Sequence, residues 1–196
     1  MVIIIALYGL TFFIVLAIID NLVSDEFQKL YNSLYTFTEF TFFTAILWLN
    51  VKGKFAKKIF GITYAAFILF QILYNFSHYF VADKLDAVPV GIETLLVFVY
   101  IFLFFYEYFK NVFTEYVYNY YCFWIAIGIM IYMSGSFFLY LLANDISQQQ
   151  LDSFWHFTYV GETIKNILFA VAIVIHAKSK LKEKISNQNI PYLDFN

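Results

Sequence analysis

Four side chains that can carry charge or form strong hydrogen bonds lie in one apolar segment near the end of the chain. His156, Glu162, Lys165 and Asn166 stand in the run FWHFTYVGETIKNILFAVAIVI, which is otherwise apolar enough to cross a bilayer. An ionisable side chain at membrane depth costs about 2.5–3.5 kcal/mol on insertion scales and marks a functional site by default. Glu162 and Lys165 have the spacing at which helical side chains meet, so they can form a structural ion pair, a ligand or ion site, or a proton relay.

The same segment predicts an interior face and a lipid face. Each helical residue advances by about 100°, so residues of one face recur at spacings of three and four. One half of the wheel holds Tyr159, Glu162, Thr163, Lys165 and Asn166, with His156 at its edge. The opposite half holds Val160, Ile164, Ile167, Leu168 and Val171. We expect the polar half to face the interior of a helix bundle.

Three other apolar segments carry polar side chains at helical spacing. They are Glu39 in the second segment, Gln71, Asn75 and His78 in the third, and Glu93 in the fourth. Together with the last segment, they predict a polar cavity that leans towards the outer face of the membrane. Its expected ligand-binding residues are Glu39, Gln71, Asn75, His78, Glu93, His156, Glu162, Lys165 and Asn166.

The expected cavity contains more acidic than basic groups. Glu39, Glu93 and Glu162 oppose Lys165, the one cation predicted at that depth. Unless protons, a metal or a bound cation supply the balance, some of these carboxyl groups must be neutral. Any of the three is a possible partner of Lys165, and the sequence does not choose among them.

The sequence lacks the residue spacings that metal binding and catalysis require. A metal held by His78 and His156 with Glu93 or Glu162 is an alternative, but neither H-E-x-x-H nor H-x-x-E-H occurs. The two serines of MSGSFF have no G-x-S-x-G context, and we expect them to allow close helix packing instead. We therefore predict no metal site, no cofactor and no catalytic residue.

Composition indicates a protein of the membrane. Hydrophobic residues make up 62% of the 196 residues and charged ones only 13%, whereas soluble domains carry about a quarter. The basic residues are twelve Lys and no Arg, and a net charge of −2 gives no electrostatic case for nucleic acid. Cys122 is the only cysteine, so an internal disulfide is excluded.

Hydropathy predicts an all-α bundle of six membrane-spanning helices in one domain. The spans lie near residues 1–22, 30–51, 58–80, 88–110, 117–143 and 153–177, and a short basic tail follows at 178–196. The first lacks a basic n-region and an A-x-A cleavage site, so we expect a retained span rather than a signal peptide.

The distribution of lysine predicts the orientation in the membrane. Three groups of lysines lie on one side of a six-span protein: Lys52, Lys54, Lys57 and Lys58; Lys110; and Lys178, Lys180, Lys182 and Lys184. The opposite loops carry only Lys29 and Lys84, among several Asp and Glu. The positive-inside rule then makes both termini cytoplasmic, in the plasma membrane or bacterial inner membrane.

Two runs of the sequence carry a resemblance. YNYYCFWIAIGIMIYMSGSFFLYLLAND contains the pattern FWI-x-x-G-x-x-IY, and LYNSLYTFTEFTFF contains YN-x-x-Y-x-x-x-EF. In both patterns the chain resembles small, uncharacterised polytopic inner-membrane proteins of Bacteroidota, over about residues 30–175. The resemblance implies the fold and a bacterial inner membrane, and such proteins often have a further N-terminal helix.

These features favour a non-enzymatic membrane module that senses or binds a small ligand or ion. Because no segment outside the membrane exceeds about 20 residues, it is expected to act through a protein partner or as a homo-oligomer within the lipid bilayer. One alternative is a small proton- or cation-coupled transporter. Others are an intramembrane lipid-acting enzyme and a membrane component of a defence or stress system.

Overall fold

The helices confirm the predicted all-α class. A computed structural model describes residues 3–12, 28–77, 87–111, 117–142 and 145–188, and no strand occurs within these ranges. The helices are α1 (Ile3–Phe12), α2 (Gln28–Asn50), α3 (Lys54–Ser77), α4 (Ala87–Asn111), α5 (Tyr121–Leu142) and α6 (Gln148–Gln188). A single 3₁₀ turn, Val117–Asn119, precedes α5.

The helix bounds follow the hydropathy prediction closely for α2 and α4 and depart from it elsewhere. Of the first predicted span, residues 13–22 lie outside the described residues, as do residues 78–80 of the third. The fifth span was predicted from residue 117, but α5 begins at Tyr121. Residues 117–119 instead form the 3₁₀ turn, and the indole Nε1 of Trp124 donates to the Tyr118 carbonyl at 2.9 Å.

The last helix is much longer than the predicted span 153–177. It begins after Ser147, where a capping box satisfies the first backbone amides: the Ser147 amide donates to Gln150 Oε1 at 3.1 Å, and the Gln150 amide donates to Ser147 Oγ at 3.4 Å. Residues 178–188 of the predicted tail continue the helix, since Lys, Leu and Glu are good helix formers.

Within the described ranges, four helices are long and apolar enough to cross a membrane. They contain the segments Lys54–Ser77, Ala87–Lys110, Tyr121–Leu142 and Gln149–Lys182. The described part of α1 has only the length of a short apolar helix. The long helix α2 contains no such segment, and its position in the bundle gives the reason.

Helix α2 lies at the centre of the bundle. It packs against α3, α4 and α5, and Tyr8 of α1 packs on its residue Phe43. Its polar side chains Thr36, Glu39 and Thr44 are buried inside the protein. A central helix meets other helices rather than lipid, so its surface does not have to be uniformly apolar.

The two ends of the bundle differ in character. At one end the Glu107 carboxylate of α4 accepts hydrogen bonds from the backbone amides of Lys52 and Gly53, at 3.2 and 2.9 Å, where α3 begins. Tyr121 of α5 donates to Asn50 at this same end. Because several lysines surround these residues, we name it the lysine-rich end, and the other the opposite end.

Candidate functional site

Lys165 lies on the inner face of α6 and has 1% of its surface exposed. Gly161 and Phe169, one turn to either side, are buried on the same face. The ammonium Nζ donates a hydrogen bond to the hydroxyl of Tyr8, at 2.6 Å. A buried charge without partners is very costly, so this bond fixes α1 against α6.

Glu39 of α2 is the acidic counterpart of this lysine. Its carboxylate, 4% exposed, accepts from the Tyr8 hydroxyl at Oε1 (3.2 Å) and from the Tyr132 hydroxyl at Oε2 (3.3 Å). The Tyr8 hydroxyl accepts a hydrogen bond from Lys165 and donates one to Glu39, so it connects the two charged groups. The arrangement joins α1, α2, α5 and α6 at one point.

Aromatic rings complete the surroundings of the ammonium. Lys165 Nζ lies 3.8 Å from the centroid of the Tyr132 ring, 4.9 Å from that of Tyr8 and 5.8 Å from that of Phe43. Ring faces attract a cation, and more strongly where water is excluded. Tyr132 therefore contacts both charged groups. Its ring faces the ammonium of Lys165, and its hydroxyl donates to the carboxylate of Glu39.

A fifth residue extends the hydrogen bonds towards the opposite end. The Tyr35 and Tyr132 hydroxyls lie 3.2 Å apart. A hydroxyl has one proton to donate, and that of Tyr132 goes to Glu39, so Tyr35 is the donor to Tyr132. We call the set Lys165, Tyr8, Glu39, Tyr132 and Tyr35 the Lys165 network.

Two glycines bring α5 and α6 close enough to form this network. A Cβ at Gly128 of α5 would lie 3.5 Å from the Lys165 Cα, and a Cβ at Gly161 of α6 would lie 3.5 Å from the Tyr132 Cα. Each glycine is one turn from the network residue of its own helix and faces that of the other. Small residues at such positions let membrane helices approach closely.

A second polar cluster lies nearer the opposite end, between α2 and α3. Gln71 Nε2 donates to the Ser33 carbonyl at 2.7 Å, and Asn75 Nδ2 donates to Ser33 Oγ at 2.5 Å. Gln71 is 4% exposed, yet its Oε1 has no hydrogen-bond partner. Buried polar atoms are nearly always paired, so this oxygen needs an explanation.

Glu93 of α4 carries a second such oxygen. It is 1% exposed, and its Oε1 also has no hydrogen-bond partner. The helix register places it at about the depth of Ser33, because Phe40 and Tyr100 are in ring contact, with centroids 6.0 Å apart, and α2 and α4 run in the same direction. Ser33 and Glu93 each lie seven residues, about 10 Å, from that pair. We call Ser33, Gln71, Asn75 and Glu93 the acceptor cluster.

The structure thus divides the predicted site residues into separate groups. Glu39 and Lys165 join in the network, Gln71 and Asn75 both hydrogen-bond to Ser33, and Glu93 lies at about the same depth on α4. His78 lies outside the described residues. Glu162 is half-buried, and within the described ranges neither an ion pair nor a hydrogen bond joins it to Lys165.

The predicted orientation of α6 is wrong in part. Tyr159, Thr163, Asn166 and His156 were expected to face the interior or its edge, but all four are exposed. The buried face instead holds Thr158, Gly161, Lys165, Phe169 and Ala172. The helix turns this way because close packing on α5 requires its small residue Gly161, not its polar residues, at the contact.

The described residues offer little for metal or nucleophilic chemistry. No group of three or more His, Cys, Asp or Glu among them is arranged to hold a metal ion. Ser134 and Ser136 donate to carbonyls of their own helix, Met130 and Tyr132, at 2.8 and 3.0 Å. Such bonds are ordinary for serine in an apolar helix.

Sequence reasoning missed three tyrosines as site residues. Tyr8, Tyr35 and Tyr132 were not among the predicted ligand-binding residues. The signal in the sequence was weak, since 17 tyrosines are present and most suit a membrane interface. Only the packing of α1 between α2 and α6 shows that Tyr8 connects Lys165 to Glu39.

The four long apolar helices, with a polar interior, define an integral membrane protein of the all-α class. No family model matches the chain, and neither the curated proteins nor the solved structures contain a match.

Proposed function

We propose that α1 and α2 also cross the membrane, giving six spans with both termini in the cytoplasm of a bacterial cell. The central position of α2 supports this, because a helix that packs against four others has to share their environment. The lysine-rich end supports the orientation, since positive residues favour the cytoplasmic side. The bacterial inner membrane follows from the resemblance in the FWI-x-x-G-x-x-IY and YN-x-x-Y-x-x-x-EF runs.

Within that bundle, we propose a non-enzymatic module that binds a small cation at the acceptor cluster. The observation that carries the proposal is the pair of buried, unpartnered oxygens, Glu93 Oε1 and Gln71 Oε1. Both are acceptors, and carboxylate and amide oxygens are the ligands that hard cations prefer. In the proposed orientation the cluster lies towards the outer face, so the cation enters from outside.

The Lys165 network gives such a site a route to the rest of the protein. It joins four helices through charged and hydroxyl groups, and it begins at Tyr35, which lies on the same helix as Ser33 of the acceptor cluster. A cation bound beside Glu93 changes the electrostatic potential at the charged groups of the Lys165 network. We propose that the response is passed to a protein partner.

Cation-dependent stability tests the binding proposal. The purified full chain in nanodiscs is titrated separately with Na⁺, K⁺, Mg²⁺ and Ca²⁺ while its thermal unfolding is followed. A ligand at one hundred times its Kd raises the free energy of unfolding by about 2.7 kcal/mol. We expect saturable stabilisation by at least one cation, its loss in Glu93→Gln, and its retention in the matched control Glu162→Gln.

Two results would contradict the binding proposal. One is the absence of saturable stabilisation by any of the four cations. The other is stabilisation of equal size in Glu93→Gln, because that places the cation elsewhere. Circular dichroism of each variant before titration shows whether the helices are intact, so a failure to fold is separated from a failure to bind.

A second candidate function is a small proton- or cation-coupled transporter. The observation that favours it is the continuous set of hydrogen bonds Tyr35–Tyr132–Glu39–Tyr8–Lys165, because hydroxyl groups both accept and donate protons. Uptake into proteoliposomes that depends on a proton gradient, and that fails in Glu39→Gln, would place transport ahead of binding alone.

A further inference from the structure

The exposed surface of α6 has two chemically different sides. One side is apolar and includes Phe157, Val160 and Ile167, each more than half exposed. The other side carries exposed polar and small residues: His156, Tyr159, Thr163, Asn166 and Ala170. We call this second side the polar seam.

The spacing of the polar seam is that of a helix-packing face. Its residues follow one another at intervals of three, four, three and four, the repeat that keeps one stripe facing a neighbouring helix in a left-handed pair. No other described helix covers this stripe. A stripe with this repeat is what a partner helix would need in order to pack along α6.

Asn166 shows why the polar seam does not suit lipid. It lies one residue from Lys165, well inside the apolar part of α6, and its side chain is exposed. Among the described residues its amide makes no hydrogen bond. In hydrocarbon no water can satisfy that amide, so an exposed Asn at this depth indicates contact with another polar surface.

The chemistry of the seam identifies the partner as another copy of the chain. Two copies insert in the same direction, so a two-fold axis along the membrane normal places each seam residue opposite itself. Asn and Tyr side chains carry both donors and acceptors, and therefore satisfy each other in such a pair. The seam contains no Asp, Glu or Lys that would repel its own copy.

We propose that the polar seam of α6 is the interface of a parallel homodimer, with Asn166 hydrogen-bonded to Asn166 of the second copy. Ala170 lies one turn away and lets the two helices approach closely. The interface is separate from the cation proposal: Lys165 faces inward from the same helix, while Asn166 faces outward. Dimerisation and cation binding can therefore fail independently.

Disulfide cross-linking tests the interface directly. In a Cys122→Ala background, single cysteines are introduced by Thr163→Cys and Ala170→Cys on the seam, and by Val160→Cys and Ile167→Cys on the apolar side as matched controls. The purified full chain is reconstituted into lipid vesicles and oxidised. We expect a covalent dimer from the two seam positions and only background from the two controls.

Replacement of Asn166 measures what its amide contributes. Asn166→Leu is expected to weaken dimerisation about 3- to 15-fold, the range that polar contacts between membrane helices give. Asn166→Gln keeps both donor and acceptor and should retain most of the affinity, and Ile167→Leu should change nothing. Förster transfer between labelled copies, titrated against lipid dilution, gives the dissociation constant.

Three outcomes would overturn the homodimer. They are equal cross-linking on the two sides of α6, no cross-linking from any position, and a purified chain that is monomeric although native membranes hold it in a larger complex. The last result would assign the seam to a different protein. Because all four cysteine positions are exposed, loss of folding does not account for a negative result, and circular dichroism verifies this.

Discussion

Lys165 and Glu39 are connected by a single hydroxyl group, that of Tyr8. The hydroxyl accepts a hydrogen bond from the ammonium at 2.6 Å and donates one to the carboxylate at 3.2 Å. The two charged residues come from helices far apart in sequence, and the tyrosine comes from a third. One side chain of α1 thus holds together two opposite charges that are buried in the interior.

Removal of that hydroxyl should destabilise the protein more than the loss of one ordinary hydrogen bond. In Tyr8→Phe, Lys165 loses its hydrogen-bond acceptor and Glu39 loses one of two donors, while the ring and its packing stay. Hydrogen bonds to charged groups contribute about 1.5–3 kcal/mol each, so we expect a loss of at least about 2 kcal/mol. SDS titration of the protein in detergent micelles measures it.

Tyr106→Phe is the matched control for that measurement. Tyr106 also lies in a long apolar helix but is 65% exposed, so its hydroxyl should contribute within about 0.5 kcal/mol of zero. Equal effects of the two substitutions would mean that the hydroxyl of Tyr8 does not connect the charges.

Lys165 should be energetically coupled to Glu39 rather than to Glu162. Single substitutions Lys165→Met and Glu39→Gln each leave buried polar groups without a partner, whereas the double substitution removes both charges. We expect a coupling energy of about 1–3 kcal/mol for this pair, and within about 0.5 kcal/mol of zero for Lys165 with Glu162. Two double-mutant cycles measured by the same unfolding assay decide between the partners; the reverse order would reject the assignment.

Within the described residues, the placement of the long helices could largely be predicted from the sequence, because apolar runs and turn residues are local signals. The start of α6 was predictable as well, since Ser147 and Gln150 form a capping box, but hydropathy alone places it too late. The centrality of α2 was not predictable, because hydropathy reports how apolar a helix is and not which neighbours cover it.

The candidate site was predictable only in part, for a reason that α6 shows. Glu39, Gln71, Glu93 and Lys165 stand out as polar residues in apolar surroundings, and all four are buried. A helical wheel, however, assigns the interior to the polar side. In α6 the close contact at Gly161 determines which face of the helix packs on α5, and Asn166 lies on the exposed face as a result. Packing of small residues outweighed polarity.

Replacement of Glu93 by a residue without polar atoms should stabilise the protein while it abolishes the proposed cation binding. Its buried Oε1 has no hydrogen-bond partner, so Glu93→Met removes a group that is costly to bury and keeps a similar volume. We expect a gain of about 1–2 kcal/mol in the free energy of unfolding. The assay is run without added Na⁺, K⁺, Mg²⁺ or Ca²⁺, so that ligand binding does not contribute.

Glu39→Met is the matched comparison for Glu93→Met. It places the same side chain in another helix of the same interior, but leaves the hydroxyls of Tyr8 and Tyr132 without their acceptor. We expect it to lower stability. A loss of stability in both variants would show that Glu93 has a structural partner, and would count against the acceptor cluster as a binding site.

The contact at the lysine-rich end should show strong non-additivity. Glu107→Ala removes the acceptor of two backbone amides and should cost about 1–3 kcal/mol. Gly53→Ala should also destabilise, because a Cβ there would overlap the Glu107 carboxylate. The double variant should be no less stable than Glu107→Ala alone, since the carboxylate that collides is gone. Additive losses in the unfolding assay would contradict this contact.

The close approach of α5 and α6 should depend on Gly128. In Gly128→Val the new Cβ would lie 3.3 Å from the Leu168 Cβ and 3.4 Å from the Lys165 carbonyl oxygen, and the further methyl groups need more room still. Overpacking of this kind costs about 1–3 kcal/mol. The damage should extend to the network, because moving α6 away from α5 separates Lys165 from the Tyr132 ring, now 3.8 Å from Nζ.

Gly9→Val is the control, since no atom lies within 4 Å of a Cβ at Gly9. If tight packing of α5 on α6 positions Lys165, Gly128→Val should also reduce the coupling between Lys165 and Glu39, whereas Gly9→Val should leave it unchanged.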